Sequence, residues 1–182
     1  MIDKFGYISF QCYTNEQVKE INKKIKEITW RKQDPSDAAF TVSKVGEFFN
    51  VPCPPLMELL IPWLENCQHA NRDVFGFDIY WDFHIEYCNY NIYGENGEYN
   101  WHIDNNSEDN FDMKLTCLLN LSEESYGGGE LCLINVNSLA KKIKFDSGMG
   151  IIFNSTIAHK VTPVTQGERI TLTYWGTGPA WK

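Results

Sequence analysis

The chain has 182 residues, of which 43% are hydrophobic and 22% charged, a composition typical of one globular domain. Its net charge of −8 at pH 7 argues against non-specific binding to nucleic acid or to anionic membranes, because both require clustered Lys and Arg. No apolar run is long enough to span a bilayer, and the N-terminal segment is too short and too polar for a signal peptide. We therefore expect a soluble, cytoplasmic protein. Six cysteines without a C-x-x-C pair predict buried, reduced thiols.

Two helices are predicted before residue 75. Thr14 and Gln17 form a capping-box pattern, and apolar residues at helical spacing follow it. Residues 31–52 are expected to be irregular or weakly β. A second helix is predicted over residues 55–71, where Pro62 either kinks the helix or marks its start.

From Phe75 onwards the hydrophobic pattern changes to a period of two. The aromatic stretch over residues 75–93 predicts a strand or a pair of strands, and short apolar runs between turn signals predict further strands up to residue 175. We expect a mainly β protein with flanking helices (α+β), in which a jelly-roll, or double-stranded β-helix, core carries the N-terminal helices outside. The prediction is one domain over residues 1–182, with helical support in 1–74 and the core in 75–182.

The pair His102 and Asp104 is the first candidate for chemistry. On a strand, residues two apart point to the same face, so an imidazole and a carboxylate can converge on one metal ion. Oxygenases bind iron(II) with two imidazoles and one carboxylate and leave the other coordination positions open. An H-x-D pair alone arises readily by chance. His159 lies after enough short strands for the chain to return to the same end of a jelly roll.

The final predicted strand carries the second candidate. Arg169, Thr171 and Trp175 fall on one face of an alternating run, together with Thr173. An Arg and a Thr beside a large aromatic residue are unusual for a plain core strand. They suit a pocket in which a guanidinium binds a dicarboxylate.

Together these residues form a compound pattern with a resemblance to a known family. The pattern is YGENGEYNWHID, then the Gly-Gly-Glu turn at residues 128–130, then HKVTPVTQGER. It resembles the 2-oxoglutarate/iron(II) dioxygenases of the prolyl 4-hydroxylase-like type, including PKHD-type hydroxylases that phages encode. The resemblance covers roughly residues 70–182.

The resemblance implies roles for individual residues. His102, Asp104 and His159 would bind Fe(II). Arg169 would bind the distal carboxylate of 2-oxoglutarate, assisted by Tyr93 and Thr171. The residues Tyr99, Trp175 and Glu86 lie where the family contacts substrate, although ordinary strand packing explains each of them equally well. The cosubstrates would be 2-oxoglutarate and O₂, with ascorbate as a supporting reductant.

The resemblance also leaves the substrate open. Prolyl hydroxylases often carry an Arg where this chain has Lys114, which weakens the case for peptidyl proline. Residues 105–112 are a candidate lid, and with Glu95 and Glu98 they would form an acidic rim that favours a basic peptide, unless they are only a solvated loop. We expect a hydroxylase of a peptidyl residue such as proline. The alternatives are an oxygenase of a free amino acid or other small metabolite, and a non-catalytic jelly-roll binding module. The oligomeric state is not predicted.

Overall fold

The computed structural model describes residues 2–28, 31–32, 44–80, 87–105, 112–135 and 137–180. Most of the regular structure in these residues is β. The strands of the described residues, in chain order, are β1 Tyr7–Gln11, β2 Arg31–Lys32, β3 Lys44–Val45, β4 Glu47–Pro52, β5 Tyr87–Tyr93, β6 Glu98–His102, β7 Met113–Asn120, β8 Gly127–Gly128, β9 Leu131–Ile134, β10 Ala140–Ile143, β11 Met149–Asn154, β12 His159–Val161, β13 Val164–Gln166 and β14 Arg169–Thr177.

Two helices precede β5 and confirm the N-terminal predictions. Helix α1 spans Asn15–Glu27 and begins with the predicted capping box, in which Thr14 Oγ1 accepts from the Gln17 backbone N–H. Helix α2 spans Met57–Ala70, follows a 3₁₀ turn at Pro54–Leu56 and runs into a π-helical turn at Asn71–Phe75. Pro62 lies inside α2 and therefore does not mark its start.

The strands form two main antiparallel sheets and a short ribbon. The large sheet has the order β1-β11-β7-β14-β5-β4-β2, the small sheet has the order β10-β9-β12-β6-β3, and β13 pairs with β8. Leu118, Ile151, Phe153 and Leu133 belong to an apolar cluster between the sheets. This arrangement is the predicted jelly roll.

The helices cover the outer face of the large sheet. Ile21 of α1 and Trp63 of α2 belong to one buried cluster with Leu119, Leu172 and Tyr174 of the sheet. Burying apolar side chains of this size contributes about 1.5–3 kcal/mol each to folding. The helices therefore pack against the outer face of the large sheet, and its inner face lines the cavity between the sheets.

Two details differ from the sequence predictions. The segment before residue 75 also supplies β1 and β4 to the large sheet, so it is more than a helical support. The strand predicted from residue 75 begins only at Tyr87 within the described residues, because the Asn71 side chain hydrogen-bonds both the N–H and the C=O of Phe77. With Gly76 in the left-handed region at φ 68°, these bonds close a turn where a strand was predicted.

The cysteines and the helices match the predictions made from composition. All six cysteines are free thiols in the structure, and all but Cys12 are buried. Within the part of the chain that the structure describes, none of the helices has the length and apolar composition needed to cross a bilayer.

Candidate functional site

His102, Asp104 and His159 meet at one end of the small sheet. His102 ends β6, His159 begins β12, and the two residues are direct partners across the strands. Asp104 follows β6, and its backbone N–H donates to the Ser155 carbonyl oxygen. One ligand atom from each of the three side chains lies within 4.8 Å of the other two, a spacing that could hold a metal ion.

A β-bulge in β6 lies next to His102. His159 pairs with His102 but Val161 pairs with Tyr99, so β6 carries one residue more than β12 between these pairs. Such a bulge changes the side on which the following side chains emerge. As a result the Tyr99 ring stacks on the His102 ring, with centroids 3.5 Å apart, and restricts its rotation.

Both imidazoles are held in one orientation by the backbone. His102 Nδ1 lies 2.7 Å from the Asn100 carbonyl oxygen and His159 Nδ1 lies 2.9 Å from that of Ile157. A carbonyl oxygen only accepts, so each Nδ1 carries a proton and Nε2 is the ring nitrogen available to a metal ion. The two Nε2 atoms each lie 3.6 Å from an oxygen of Asp104.

The charge states suit a metal site. Burial, with His159 beside it, lowers the pKa of His102 to about 4, so its imidazole is neutral at pH 7. Burial alone would raise the pKa of Asp104, but the nearby imidazoles and the side chains that donate hydrogen bonds to it lower that pKa below its ordinary value. The neutral imidazole of His102 therefore faces the carboxylate of Asp104.

Two side chains from the large sheet orient that carboxylate. Thr116 Oγ1 on β7 donates to Asp104 Oδ2 at 2.6 Å, and Trp175 Nε1 on β14 donates to the same oxygen at 2.9 Å. Thr116 also lies 3.0 Å from the Ser155 hydroxyl. Hydrogen bonds of this kind fix a ligating carboxylate before any ion binds.

Arg169 lies in the same cavity as the triad. Its side chain is 1% exposed, and its Cζ lies 5.3 Å from the Tyr93 ring and 5.7 Å from the Phe145 ring. Arg169 Nη1 donates a long bond of 3.5 Å to Thr171 Oγ1, and Nε has no hydrogen-bond partner among the described residues. A buried guanidinium is costly without an anionic partner, and Asp104 is the only carboxylate among the described residues that line the cavity.

The cavity thus contains most of the residues that the sequence singled out. Tyr93 is the cross-strand partner of Arg169, and burial raises the pKa of its hydroxyl to about 12, so it remains a neutral donor. Thr171, Tyr99 and Trp175 also line the cavity. Glu86 lies outside the described residues, as do residues 106–111 of the candidate lid.

Several cavity residues were not singled out by the sequence. Asn89 and Asn91 extend the Tyr93 face of β5, and Asn91 Nδ2 donates to Thr173 Oγ1 at 3.0 Å. The alternation of β5 could have revealed both asparagines. Lys44 also lines the cavity, and burial lowers its pKa to about 8 although Asp104 acts in the opposite direction. Lys44 lies on a strand of two residues, which leaves no periodic signal.

Residues 88–177 match the family model of the 2OG-Fe(II) oxygenase superfamily. Over 94 residues the chain is 39% identical to a PKHD-type hydroxylase of Alteromonas mediterranea, a match that covers 47% of this chain and 41% of the relative. The chain belongs to the 2OG-Fe(II) oxygenase superfamily. A PKHD-type hydroxylase of Stutzerimonas stutzeri is 33% identical over 93 residues, with the same shares of the two chains. This superfamily member thus spans about two fifths of the length of the curated relatives that it matches.

Solved structures show the same fold. A prolyl-4-hydroxylase of Pseudomonas putida superposes with a TM-score of 0.71 at 18% identity, over 96% of this chain and 94% of that chain. A prolyl hydroxylase of Trichoplax adhaerens, in complex with a hypoxia inducible factor peptide fragment, gives a TM-score of 0.73 at 16% identity, over 94% and 83% of the two chains. The resemblance to prolyl 4-hydroxylase-like and PKHD-type oxygenases, predicted from the compound pattern, is confirmed.

Proposed function

We propose that the chain is an Fe(II)- and 2-oxoglutarate-dependent dioxygenase that hydroxylates its substrate with O₂. The observation that carries this proposal is that His102, Asp104 and His159 share one cavity with a buried guanidinium, that of Arg169. The cluster of three side chains or the buried Arg169 alone could serve only the stability of the fold. Together they would provide a metal site and an anion site in one cavity, as this chemistry requires.

The donor set fits Fe(II). Two Nε2 atoms and one carboxylate form the ligand set of non-haem iron oxygenases, which leaves the remaining coordination positions for other ligands. Both imidazoles donate from Nδ1 to a backbone carbonyl, so Nε2 is the nitrogen that each offers to a cation. His102, Asp104 and His159 would hold the ion in this proposal.

The cavity also fits 2-oxoglutarate. Arg169 is buried with an Nε that no described residue accepts from, and a carboxylate can satisfy a guanidinium with two parallel hydrogen bonds. Tyr93 would donate from its neutral hydroxyl to the same carboxylate, and Thr171 lies beside them on β14. We assign the distal carboxylate of 2-oxoglutarate to Arg169 and Tyr93, with Thr171 in support.

The chain contributes orientation and exclusion of water. When bound, Fe(II) with 2-oxoglutarate and O₂ supplies the oxidation: 2-oxoglutarate becomes succinate and CO₂, and one oxygen atom enters a C–H bond of the substrate. Thr116 and Trp175 keep the Asp104 carboxylate in place, and the stacked Tyr99 ring keeps the His102 imidazole in place. Leu118 and Leu131 form part of the apolar wall that limits access of water.

For the substrate we propose a peptidyl residue such as proline. The support is the fold shared with proteins named as prolyl hydroxylases and the sequence likeness to PKHD-type hydroxylases. Ascorbate is expected to sustain turnover by keeping the iron reduced. The non-catalytic alternative would be favoured by loss of a triad residue or of the buried Arg, and this cavity has all four side chains.

Succinate release from 2-oxoglutarate tests the activity. The protein is incubated with Fe(II), O₂ and ascorbate, and wild type is compared with His159→Ala and with His69→Ala, in which an exposed histidine of α2 is replaced. We expect iron-dependent succinate from wild type and from His69→Ala, and background from His159→Ala, with unchanged circular dichroism. Succinate release that needs no iron, or none from any of the three proteins, would contradict the proposal.

A further inference from the structure

Three uncharged polar side chains line the cavity on the large sheet. Asn89 and Asn91 lie on β5 and Thr173 lies on β14, where Thr173 is the direct partner of Asn89. On the cavity face of β14, Thr173 lies between Arg169, the proposed anchor of 2-oxoglutarate, and Trp175, whose indole donates to the metal-binding carboxylate. This polar row, Asn89, Asn91 and Thr173, therefore lies on the metal side of the cosubstrate anchor.

Hydrogen bonds fix the orientation of the Asn91 amide. Asn91 Nδ2 donates to Thr173 Oγ1 at 3.0 Å and, over 3.4 Å, to the Asn89 carbonyl oxygen. The backbone carbonyl can only accept, so the atom that faces it is the amide nitrogen. None of the described residues donates to Asn91 Oδ1 or accepts from the Thr173 hydroxyl. The pair therefore offers one acceptor and one donor that the fold does not use.

The burial of this pair indicates a ligand. Asn91 and Thr173 are each 6% exposed. Buried polar atoms in proteins nearly always have a hydrogen-bond partner, because leaving one without a partner lowers stability. Asn89 is half-buried, and its side-chain amide bonds to no residue in the described part of the chain, so it extends the row towards the exposed start of β5 at Tyr87. A polar molecule in the cavity would complete these hydrogen bonds.

The chemistry of the row favours an amide group as that ligand. An amide with one N–H offers a donor and an acceptor, which match Asn91 Oδ1 and the Thr173 hydroxyl. A carboxylate only accepts and an ammonium group only donates, so either would satisfy one of the two atoms and not the other. The row itself has no charge, and the proposed function assigns the charged groups Arg169 and Asp104 to 2-oxoglutarate and to iron.

We propose that Asn91 and Thr173 bind an uncharged amide group of the substrate beside the carbon that is hydroxylated, so that the substrate is a peptide or carboxamide and not a free amino acid. In this arrangement the Thr173 hydroxyl donates to the amide carbonyl oxygen, and the amide N–H donates to Asn91 Oδ1. Asn89 lies on the path to the exposed end of β5, where the neighbouring peptide group would follow. The inference rests on the proposed function and identifies residues that select its substrate.

Matched amide and ester probes test the inference. The panel consists of the N-acetyl methylamides of the common amino acids, the matching methyl esters, which lack the N–H, and the free amino acids. Probe binding is measured on protein loaded with Mn(II) and 2-oxoglutarate, through the paramagnetic broadening of probe proton resonances. Because this broadening falls steeply with distance, it reports only probes that lie close to the metal.

We expect at least one methylamide to bind about fivefold more tightly than its ester, the contribution of one hydrogen bond, and more tightly than the free amino acid. Asn91→Leu should abolish the preference for the amide over the ester. Thr173→Val should weaken the amide and the ester to a similar extent, because both contain the carbonyl oxygen, and Thr173→Ser should retain most of the affinity. Thr156→Val, which removes an exposed hydroxyl outside the cavity, should change neither.

Several outcomes would overturn the inference. The esters or the free amino acids bind as tightly as the methylamides, no methylamide is broadened by the metal, or the preference survives Asn91→Leu in folded protein. The affinity for 2-oxoglutarate is measured on each variant without probe, and a loss equal to the loss of probe binding would assign the pair to the cosubstrate and also overturn it. Iron-dependent succinate release by wild type is measured in parallel, so that failure of the oxygenase proposal is seen separately from failure of the amide inference.

Discussion

The two faces of β14 show how one strand serves both stability and chemistry. Leu172 and Tyr174 face the helices and belong to the apolar cluster that holds α1 and α2 against the large sheet. Arg169, Thr171 and Trp175 alternate with them and face the cavity. The period of two separates the roles completely, because successive side chains of a strand point to opposite faces.

The two faces of β14 differ in the free energy of burying their side chains. The helix-facing side gains free energy from apolar area removed from water. The cavity-facing side buries the guanidinium of Arg169 and covers the Asp104 carboxylate, and burying these charges lowers stability unless ligands complete the site. Substitutions on the two faces should therefore separate effects on folding from effects on ligand binding.

The largest expected effect comes from the metal triad. Asp104→Ala removes the only carboxylate among the described cavity residues, so iron-dependent succinate release should fall by at least about a hundredfold, beyond the losses typical for outer-shell changes. Asp73→Ala, which removes an exposed carboxylate beside Arg72, is the matched control and should keep the wild-type rate. Succinate assays with both purified variants make this comparison, and a fully active Asp104→Ala would contradict the triad assignment.

The next largest effect is on folding and comes from the opposite face. Leu172→Ala removes a fully buried side chain next to the helices and should lower the free energy of unfolding by about 2–5 kcal/mol. The KM for 2-oxoglutarate, measured well below the melting temperature, should stay within about twofold of wild type. Urea denaturation and succinate kinetics measure the two quantities. A large change in the KM for 2-oxoglutarate with unchanged stability would show that the helix-facing side of β14 also affects ligand binding.

Arg169→Met should show the reverse pattern. Loss of charged hydrogen bonds worth about 1.5–3 kcal/mol should raise the KM for 2-oxoglutarate about 10- to 150-fold. Without ligand, the melting temperature should stay the same or rise, because the guanidinium is buried with an Nε that no described residue accepts from. Thermal melts with and without 2-oxoglutarate show both effects. An unchanged KM would remove Arg169 from the cosubstrate site.

The smallest of these effects concerns the support of Asp104. Thr116→Val keeps the shape of the side chain but removes the hydroxyl that donates to Oδ2, and metal affinity should fall about tenfold. Thr156→Val removes an exposed hydroxyl that donates to Asn154 within its own turn, and it serves as the control. Mn(II) titration by calorimetry compares them. Equal affinities in both variants would show that Asp104 needs no such support.

The sequence predicted what periodicity and short spacing determine. The alternation of β14 placed Arg169 and Thr171 on one face, and the capping box placed the start of α1. The meeting of His102 with His159 required the return path of the chain, which the resemblance to a family supplied and the residues alone did not. Local pattern and family resemblance thus covered most of the candidate site.

The rest depends on long-range contacts that no local pattern carries. The extra residue in β6 aligns Tyr99 with His102 only through the register against β12. Lys44 reaches the cavity from a strand of two residues that exists because it pairs with β6. The strand predicted from Phe75 was wrong over the described residues 75–80, because the Asn71 side chain closes a turn that hydrophobic alternation cannot reveal.

A crystal structure of the protein grown anaerobically with Fe(II) would show whether His102, Asp104 and His159 bind the metal. Anomalous scattering at the iron edge locates the ion independently of the refined coordinates. We predict one peak about 2.0–2.2 Å from His102 Nε2, His159 Nε2 and an oxygen of Asp104, the distance range of first-row divalent ions with such ligands. A peak elsewhere in the protein, or one bound by fewer than these three side chains, would show that the three residues are not the iron ligands.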